Sequence, residues 1–238
     1  MNRFYMDHSL TVGEQVQLSE TVFHHWVRVL RAKASDQAIL FNGLGGEYVV
    51  ALVQIEKKSA SIQVLEFNPD NRNLSVKVTL GQVMSKGDRM DYAIQKATEL
   101  GVSEIQLLTS ERCEMRLKYE RDQKKIEHWQ GVAIAACEQC GLNIVPKILA
   151  PLALTEWIGS IDSELKLIMT LADEPLQFST QAPESIALLV GPEGGLSQTE
   201  IDFAQQQQFQ PWTIGKRVLR TETAPIVALS VINQLYCK

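Results

Sequence analysis

The sequence has no apolar run approaching the roughly 20 residues that span a bilayer. Its longest stretches resemble residues 186–190 (IALLV). The first residues, MNRFYMDH, have no apolar segment behind their charge. No secretory signal is read there, no membrane partner is expected, and a cytoplasmic location is the default. Cysteine is scarce, with only Cys113, Cys137, Cys140 and Cys237. Cys137 and Cys140 have the spacing of a redox pair or half a zinc site, but no second pair lies near. They sit in an alanine-rich stretch that reads as a packed helix, where small thiols fit as apolar filler. Neither a metal nor a disulfide is expected. Repeats are absent, and the one low-complexity stretch is the glutamine run at 205–208. GxxxxGK[ST] and GxGxxG are both missing, which argues against a nucleotide-dependent α/β enzyme with a phosphate loop or a Rossmann fingerprint. A surplus of positive charge is missing too, since the net charge is −5. The acidity is concentrated, however. Residues 151–210 hold nine acids and one base (Lys166), a local −8 that leaves +3 on the rest, so an RNA-facing surface remains compatible with the chain.

What is present is ordinary globular material. The 238 residues are 45% hydrophobic and 21% charged, enough for one large domain or two smaller ones. Up to about residue 70 the pattern is that of a small β-barrel. Residues 37–41 (QAILF) and 47–55 (EYVVALVQI) flank the turn NGLGG as a hairpin, and 59–67 (SASIQVLEF) alternates with period two. One short helix is predicted over 21–30, with Ser19 or Thr21 as its N-cap. The polar stretch NPDNRN at 68–73 is the best linker. Beyond it strands and helices alternate. Strands are predicted at 75–83, 105–108, 165–171, 185–190 and 212–214. Helices are predicted at 87–100 (closed by Gly101), 121–140 (weak at Gly131), 197–208 (a Ser197/Glu200 capping box) and 223–236. Alternation of this kind predicts an α/β domain with a largely parallel sheet.

Two loops carry the chemistry. The strand at 185–190 runs into Gly191-Pro192-Glu193-Gly194-Gly195, where glycines permit positive φ and close approach of backbone to a ligand. Taken alone, this loop fits a plain strand-to-helix turn equally well. One helix later, residues 214–224 (IGKRVLRTETA) crowd three cations, a carboxylate and two hydroxyls into the entry of an apolar helix. Pro225 suits the first turn of that helix and Thr223 its cap, so free N–H groups would face whatever the loop holds.

Together LVGPEGGLSQTE and IGKRVLRTETA resemble the signature of the SPOUT-superfamily 16S ribosomal RNA (uracil-N3)-methyltransferases. LGQVMSKGDRMDYAIQKATELGVSEIQLLTSERC (80–113), AIAACEQCG (133–141) and RVLRAKASDQAILFNGLGGEYVVAL (28–52) fit the same family, so the resemblance spans nearly the whole chain. It implies an N-terminal PUA-like RNA-binding barrel over 1–70 and a C-terminal α/β trefoil-knot domain over 73–238. It further implies S-adenosylmethionine as cofactor, a homodimer, and one uridine of the decoding region of 16S ribosomal RNA in the small subunit as target. One departure is clear: Leu142 stands where the family pattern leads one to expect arginine, which puts in doubt an RNA or cross-subunit contact made there.

On this reading the cofactor-binding candidates are Leu171, Gly191, Glu193, Gly194, Ile214, Gly215, Val218 and Leu219. Arg220 is the candidate cation that stabilises a uracil anion, and Glu222 orients it or relays the proton; a bracing role for Glu222 remains equally open. Candidate RNA contacts are Arg3, Arg28, Arg31 and Lys33 in the barrel, with Lys86 and Arg89 after the first α/β strand. The run Arg112, Arg116, Lys118, Arg121, Lys124 and Lys125 is a further candidate, though four acids dilute it and a solvated helix face competes. His24 and His25 are neighbours that face different ways on a short helix, so they read as structural or RNA-facing and not as metal ligands. A non-catalytic RNA-binding protein and a transfer RNA ribose methyltransferase are the rival functions.

Overall fold

The computed structural model describes residues 1–115, 119–172 and 174–236. The chain forms two compact units: Met1–Asn73 with Cys137–Val145, and Leu74–Ala136 with Pro146–Lys238.

The first unit holds a five-stranded sheet. Its strands are β1 (Asn2–Tyr5), β2 (Gln15–Gln17), β3 (Gln37–Phe41), β4 (Glu47–Ile55) and β5 (Ala60–Asn68), in the order β1-β3-β4-β5-β2. The β3–β4 turn uses Gly43, Gly45 and Gly46 at positive φ. Gly46 takes φ +69° and a side chain there would stand 2.9 Å from the Asn68 carbonyl, so the turn favours glycine there. The helix expected over 21–30 begins one residue earlier and is of two kinds. Ser19 caps a short α-turn, α1 (Glu20–Val22), which continues as a π-helix over Phe23–Val29. That wider winding buries Phe23, Trp26 and Val27 in the core of the unit and leaves His24, His25 and Arg28 exposed.

Residues 137–145 pack with the first unit, beside the contiguous block read from sequence. The reason is packing: Phe41, Cys137 and Leu142 form one buried cluster, with Tyr5, Cys140 and Val145 against it. The polar stretch 68–73 is also no free linker. Asn71 Oδ1 accepts from the Gly46 N–H at 2.8 Å, Arg72 donates to Glu47 at 3.2 Å and to the Gly141 carbonyl at 2.7 Å, and Asn143 donates to the Asp70 carbonyl at 2.6 Å.

The second unit is a six-stranded sheet in which every pairing is parallel. Its strands are β6 (Lys77–Val83), β7 (Glu104–Thr109), β8 (Lys147–Ala153), β9 (Leu165–Met169), β10 (Ser185–Val190) and β11 (Gln210–Trp212), ordered β11-β9-β10-β6-β7-β8. The helices are α2 (Asp88–Glu99), α3 (Tyr119–Cys140), α4 (Leu154–Ser160), α5 (Gln198–Gln206) and α6 (Ala224–Tyr236). Central strands β6 and β10 are buried almost end to end, as a parallel sheet covered on both faces requires. The Trp157 indole of α4 lies against β6 at Gly81, where a Cβ would come within 2.4 Å of the ring. β11 ends at Trp212 and not at Ile214, because Thr213 is already engaged in the loop bonds described below.

Candidate cofactor and substrate cleft

Strand order reverses at β6: β7 and β8 lie to one side, and β10, β9 and β11 to the other. In open parallel sheets, ligands collect at the carboxyl ends of the strands beside such a point. Here the loops leaving β9, β10 and β11 enclose a cavity of about 560 Å³, within the range of small-molecule sites. Met169, Val190, Leu196, Trp212, Ile214 and Leu219 supply apolar wall, while Arg89, Glu193, Arg217, Arg220 and Glu222 supply charge.

The glycine-bearing loop is held in several places. Gly195 takes φ +69° and its N–H donates to the Pro192 carbonyl at 2.9 Å. Ser197 and Glu200 form the predicted capping box of α5, and the buried Glu200 also accepts from the Glu111 N–H at 2.9 Å. Arg112 donates to the carbonyls of Gly194 (3.1 Å) and Leu196 (3.4 Å). Gly191 lies close under Leu196, whose Cγ would stand 3.0 Å from a Cβ.

The second loop is fixed at its two ends. Thr213 Oγ1 donates to the Thr170 carbonyl at 2.8 Å and accepts from the Ala172 N–H at 2.6 Å, joining the β11 and β9 loops. Thr221 Oγ1 donates to the Gly191 carbonyl at 2.7 Å and accepts from Gln82 Nε2 at 3.1 Å. Between these points Gly215 takes φ +72°, and Val218 stands 87% exposed. The Arg220 carbonyl accepts from the N–H groups of Thr223 and Ala224, which starts α6.

Of the candidate cofactor residues, Leu171, Gly191, Glu193, Ile214, Val218 and Leu219 border the cavity. Gly194 and Gly215 stand outside its lining. Arg220 and Glu222 both border it, their charged groups 3.9 Å apart. The Arg220 side chain is 78% exposed and that of Glu222 only 15%. Glu222 Oε2 is buried with no hydrogen-bond partner among the described residues. Arg89, read from sequence as an RNA contact, lines the cavity and pairs with Glu193 at 2.6 Å. That hydrogen bond, with the charges of Glu193 and Glu222, raises its guanidinium above its ordinary value. Sequence reasoning missed Thr213 and Gln82 and gave Thr221 no partner. Such groups carry no signal until the topology brings the strand ends and loops together.

The other candidate RNA residues divide. The Arg3 side chain is 11% exposed, paired with the buried Glu47 and donating to Asn143 Oδ1 at 2.7 Å. Arg28, Arg31 and Lys33 are exposed. Arg28 lies over the Phe23 ring and donates to the Lys57 carbonyl, which brings the exposed Lys57 and Lys58 beside it. Lys86 is exposed and paired with Glu114 at 2.7 Å. Arg112 holds the glycine loop, as above. Arg116 and Lys118 lie outside the described residues. Cys113, Cys137 and Cys140 are free thiols, and burial pushes that of Cys137 up to about 12. His25 stacks edge-on against Phe4 at 5.3 Å. Among the described residues no cluster of His, Cys, Asp or Glu is arranged to hold a metal, and no helix is long and apolar enough to cross a membrane.

Fold and cleft define the class: a parallel α/β domain that takes a small organic molecule against glycine-bearing loops, in one chain with a small β unit bearing exposed cations. Residues 72–233 match the family model of the RNA methyltransferase domain, and residues 18–65 that of the RNA methyltransferase PUA domain. The chain therefore belongs to the RNA methyltransferase family, in the branch of ribosomal RNA small subunit methyltransferase E. The member of that branch from Buchnera aphidicola (subsp. Schizaphis graminum) is 33% identical over 97% of this chain and 95% of its own length. The one from Bacillus subtilis is 32% identical over 88% and 86%. The crystal structure of ribosomal RNA small subunit methyltransferase E from Neisseria gonorrhoeae bound to S-adenosyl methionine superposes with a TM-score of 0.92, at 37% identity over 99% of this chain and 98% of that one. A Legionella pneumophila protein in complex with the bound cofactor SAM gives 0.93, at 37% identity over 98% and 96%.

Proposed function

We propose that this chain methylates N3 of a uridine in the decoding region of 16S ribosomal RNA, using S-adenosylmethionine, in the cytoplasm and on the assembled small subunit. The observation that carries the reading is the cleft at the ends of β9, β10 and β11, with a buried Glu222 oxygen beside it that has no partner among the described residues. The residues present fit the cofactor. Trp212, Ile214 and Leu196 offer apolar faces for an adenine ring, loop carbonyls and N–H groups are at hand, and Glu193 can accept from sugar hydroxyls. Bound there, S-adenosylmethionine supplies an already activated methyl group.

What remains for the protein is to orient the base and remove its imide proton, since N3 is protonated at neutral pH. Glu222 Oε2 is an acceptor without a donor among the described residues and is suited to take that proton. Arg220, its guanidinium largely free in solvent, is suited to stabilise the uracil anion at a carbonyl oxygen. The base reaches the cleft by rotating out of its stack. Arg28, Arg31 and Lys33, with Lys57 and Lys58, hold RNA phosphates. We further propose that the loops around the cleft form a trefoil knot and that the active species is a two-fold homodimer. Small subunits from a strain lacking the modification, incubated with this protein and labelled cofactor, should acquire one methyl group, mapped to uridine N3. Label on a ribose, or on no uridine, would overturn the assignment.

A further inference from the structure

The two loops that border the cleft are unequally secured. The glycine loop has the Arg112 bonds, its own 2.9 Å turn and the capping box of α5. Within the second loop residues 215–218 and 220 are exposed. Apart from Thr213 at its start, the side-chain hydrogen bonds that tie it to the body of the domain run through Thr221, among the described residues. Thr221 is 6% exposed and is bonded from both sides.

The partner behind it is Gln82, which is 1% exposed and stands on the central strand β6 in register with Val190, the residue before Gly191. Gln82 Nε2 donates both to the Val83 carbonyl and to Thr221 Oγ1, each at 3.1 Å. These two acceptors fix which end of the amide faces Thr221. The hydroxyl, having accepted from Gln82, turns its own proton to the Gly191 carbonyl at 2.7 Å. The result is a directed relay, amide to hydroxyl to carbonyl. It runs from the sheet through the second loop to the first, one residue before Glu222.

We infer that Gln82 and Thr221 are positioning residues of the methyl transfer: their relay sets the place of Glu222, and with it Arg220, against the glycine loop. This rests on the reading of Glu222 and Arg220 given above. It predicts an asymmetry. Removing the hydroxyl frees the second loop at its catalytic end, while the glycine loop keeps its other bonds. Turnover should fall much more than cofactor affinity.

Thr221→Val removes the hydroxyl at nearly constant volume, and Thr221→Ser keeps it. Turnover on small subunits, calorimetric affinity for S-adenosylmethionine, and amide hydrogen exchange in residues 214–224 are measured for both. Since a displacement of about 1 Å can cost about 100-fold in rate, Thr221→Val should lose roughly 30-fold or more in turnover, with affinity within roughly threefold. Its loop should exchange faster, and Thr221→Ser should restore all three readouts. Parallel loss of affinity and turnover, undiminished turnover, or failure of serine to rescue would each overturn the inference. Gln82→Met removes the donor from the other end and should give the same split; it decides the matter if Thr221→Val does not fold. Should the wild-type protein methylate no uridine, the proposed reaction falls by itself. Loop exchange then decides on the relay, and unchanged exchange in Thr221→Val refutes it.

Discussion

Replacing Arg220 by alanine should separate catalysis from stability in a single variant. The guanidinium is 78% exposed and stands 3.9 Å from the Glu222 carboxylate. Two unit charges about 4 Å apart in water interact by about 1 kcal/mol, and exposed pairs measured in proteins contribute about 0.2–1 kcal/mol. The folded state should therefore lose no more than about 1 kcal/mol, a fall in Tm of about 4 °C at most for a chain of this size. Cofactor affinity should change little as well, because the side chain lies at the open rim while the apolar wall is untouched. Turnover is different. A preorganised donor facing a developing oxyanion is worth about 100- to 1000-fold, or about 3–4 kcal/mol. The assay is single-turnover methylation of unmodified small subunits, with calorimetric titration of S-adenosylmethionine and thermal unfolding in parallel. The reasoning fails if affinity and turnover drop together, or if turnover stays within about threefold of wild type.

Three further outcomes follow from other parts of the molecule. Gly81→Ala would place a Cβ 2.4–2.5 Å from the ring of Trp157, which is 3% exposed and tilted against Phe209. Overpacking of this kind costs about 1–3 kcal/mol, so Tm should fall by several degrees, and an unchanged Tm would mean that the ring moves freely. Burial alone would raise the pKa of Glu47, but hydrogen bonds from Arg72 and Arg3, and their charges, bring it below the usual carboxylate range. Its stabilisation is thus complete above about pH 4.3 and drains away as pH falls through the lowered folded value. Glu47→Gln should destabilise at neutral pH by about 3–5 kcal/mol and flatten the acid limb of the stability curve; an unaltered acid limb counts against the pairing. Finally, Lys57→Ala with Lys58→Ala should reduce the slope of log affinity for RNA against log salt by about 1.4–1.8, at about 0.7–0.9 per phosphate contact. An unchanged slope removes both from the RNA surface.

Where hydrophobic period and turn chemistry coincide, the sequence is legible. The hairpin strands Gln37–Phe41 and Glu47–Ile55, strand Ser185–Val190 and the capping box of α5 stand where the pattern places them. Elements too short to show a period were not readable. β1 and β2 have four and three residues, and β8 and α4 join without a turn signal between them. The two cleft loops were visible as glycine-rich and charge-rich segments. The roles of the Thr213 hydroxyl and the Gln82 amide, and the partners of the Thr221 hydroxyl, were not, because they depend on which strand ends and loops lie side by side. The pairing of Arg3 was not legible either, because its partner Glu47 lies 44 positions away.

At Leu142 the resemblance leads one to expect arginine, and the surroundings of the leucine argue for a packing role. The side chain is 4% exposed, within the cluster of Phe41 and Cys137, and the Leu142 carbonyl accepts from Arg3 at 3.3 Å. Nearby Glu138 is a poor counter-ion: burial raises its carboxyl, and it already accepts from the Tyr5 N–H. An arginine at 142 would have to strand its charge among apolar groups or push its head out to solvent and leave a void. Leu142→Ala should destabilise by about 2–5 kcal/mol, with little effect on RNA affinity once folded protein is compared. Leu142→Arg should destabilise as well, without steepening the salt dependence of RNA binding. If instead it tightens RNA binding at unchanged stability, then position 142 faces the nucleic acid, and the cluster drawn around Phe41 is not what holds residues 137–145 in place.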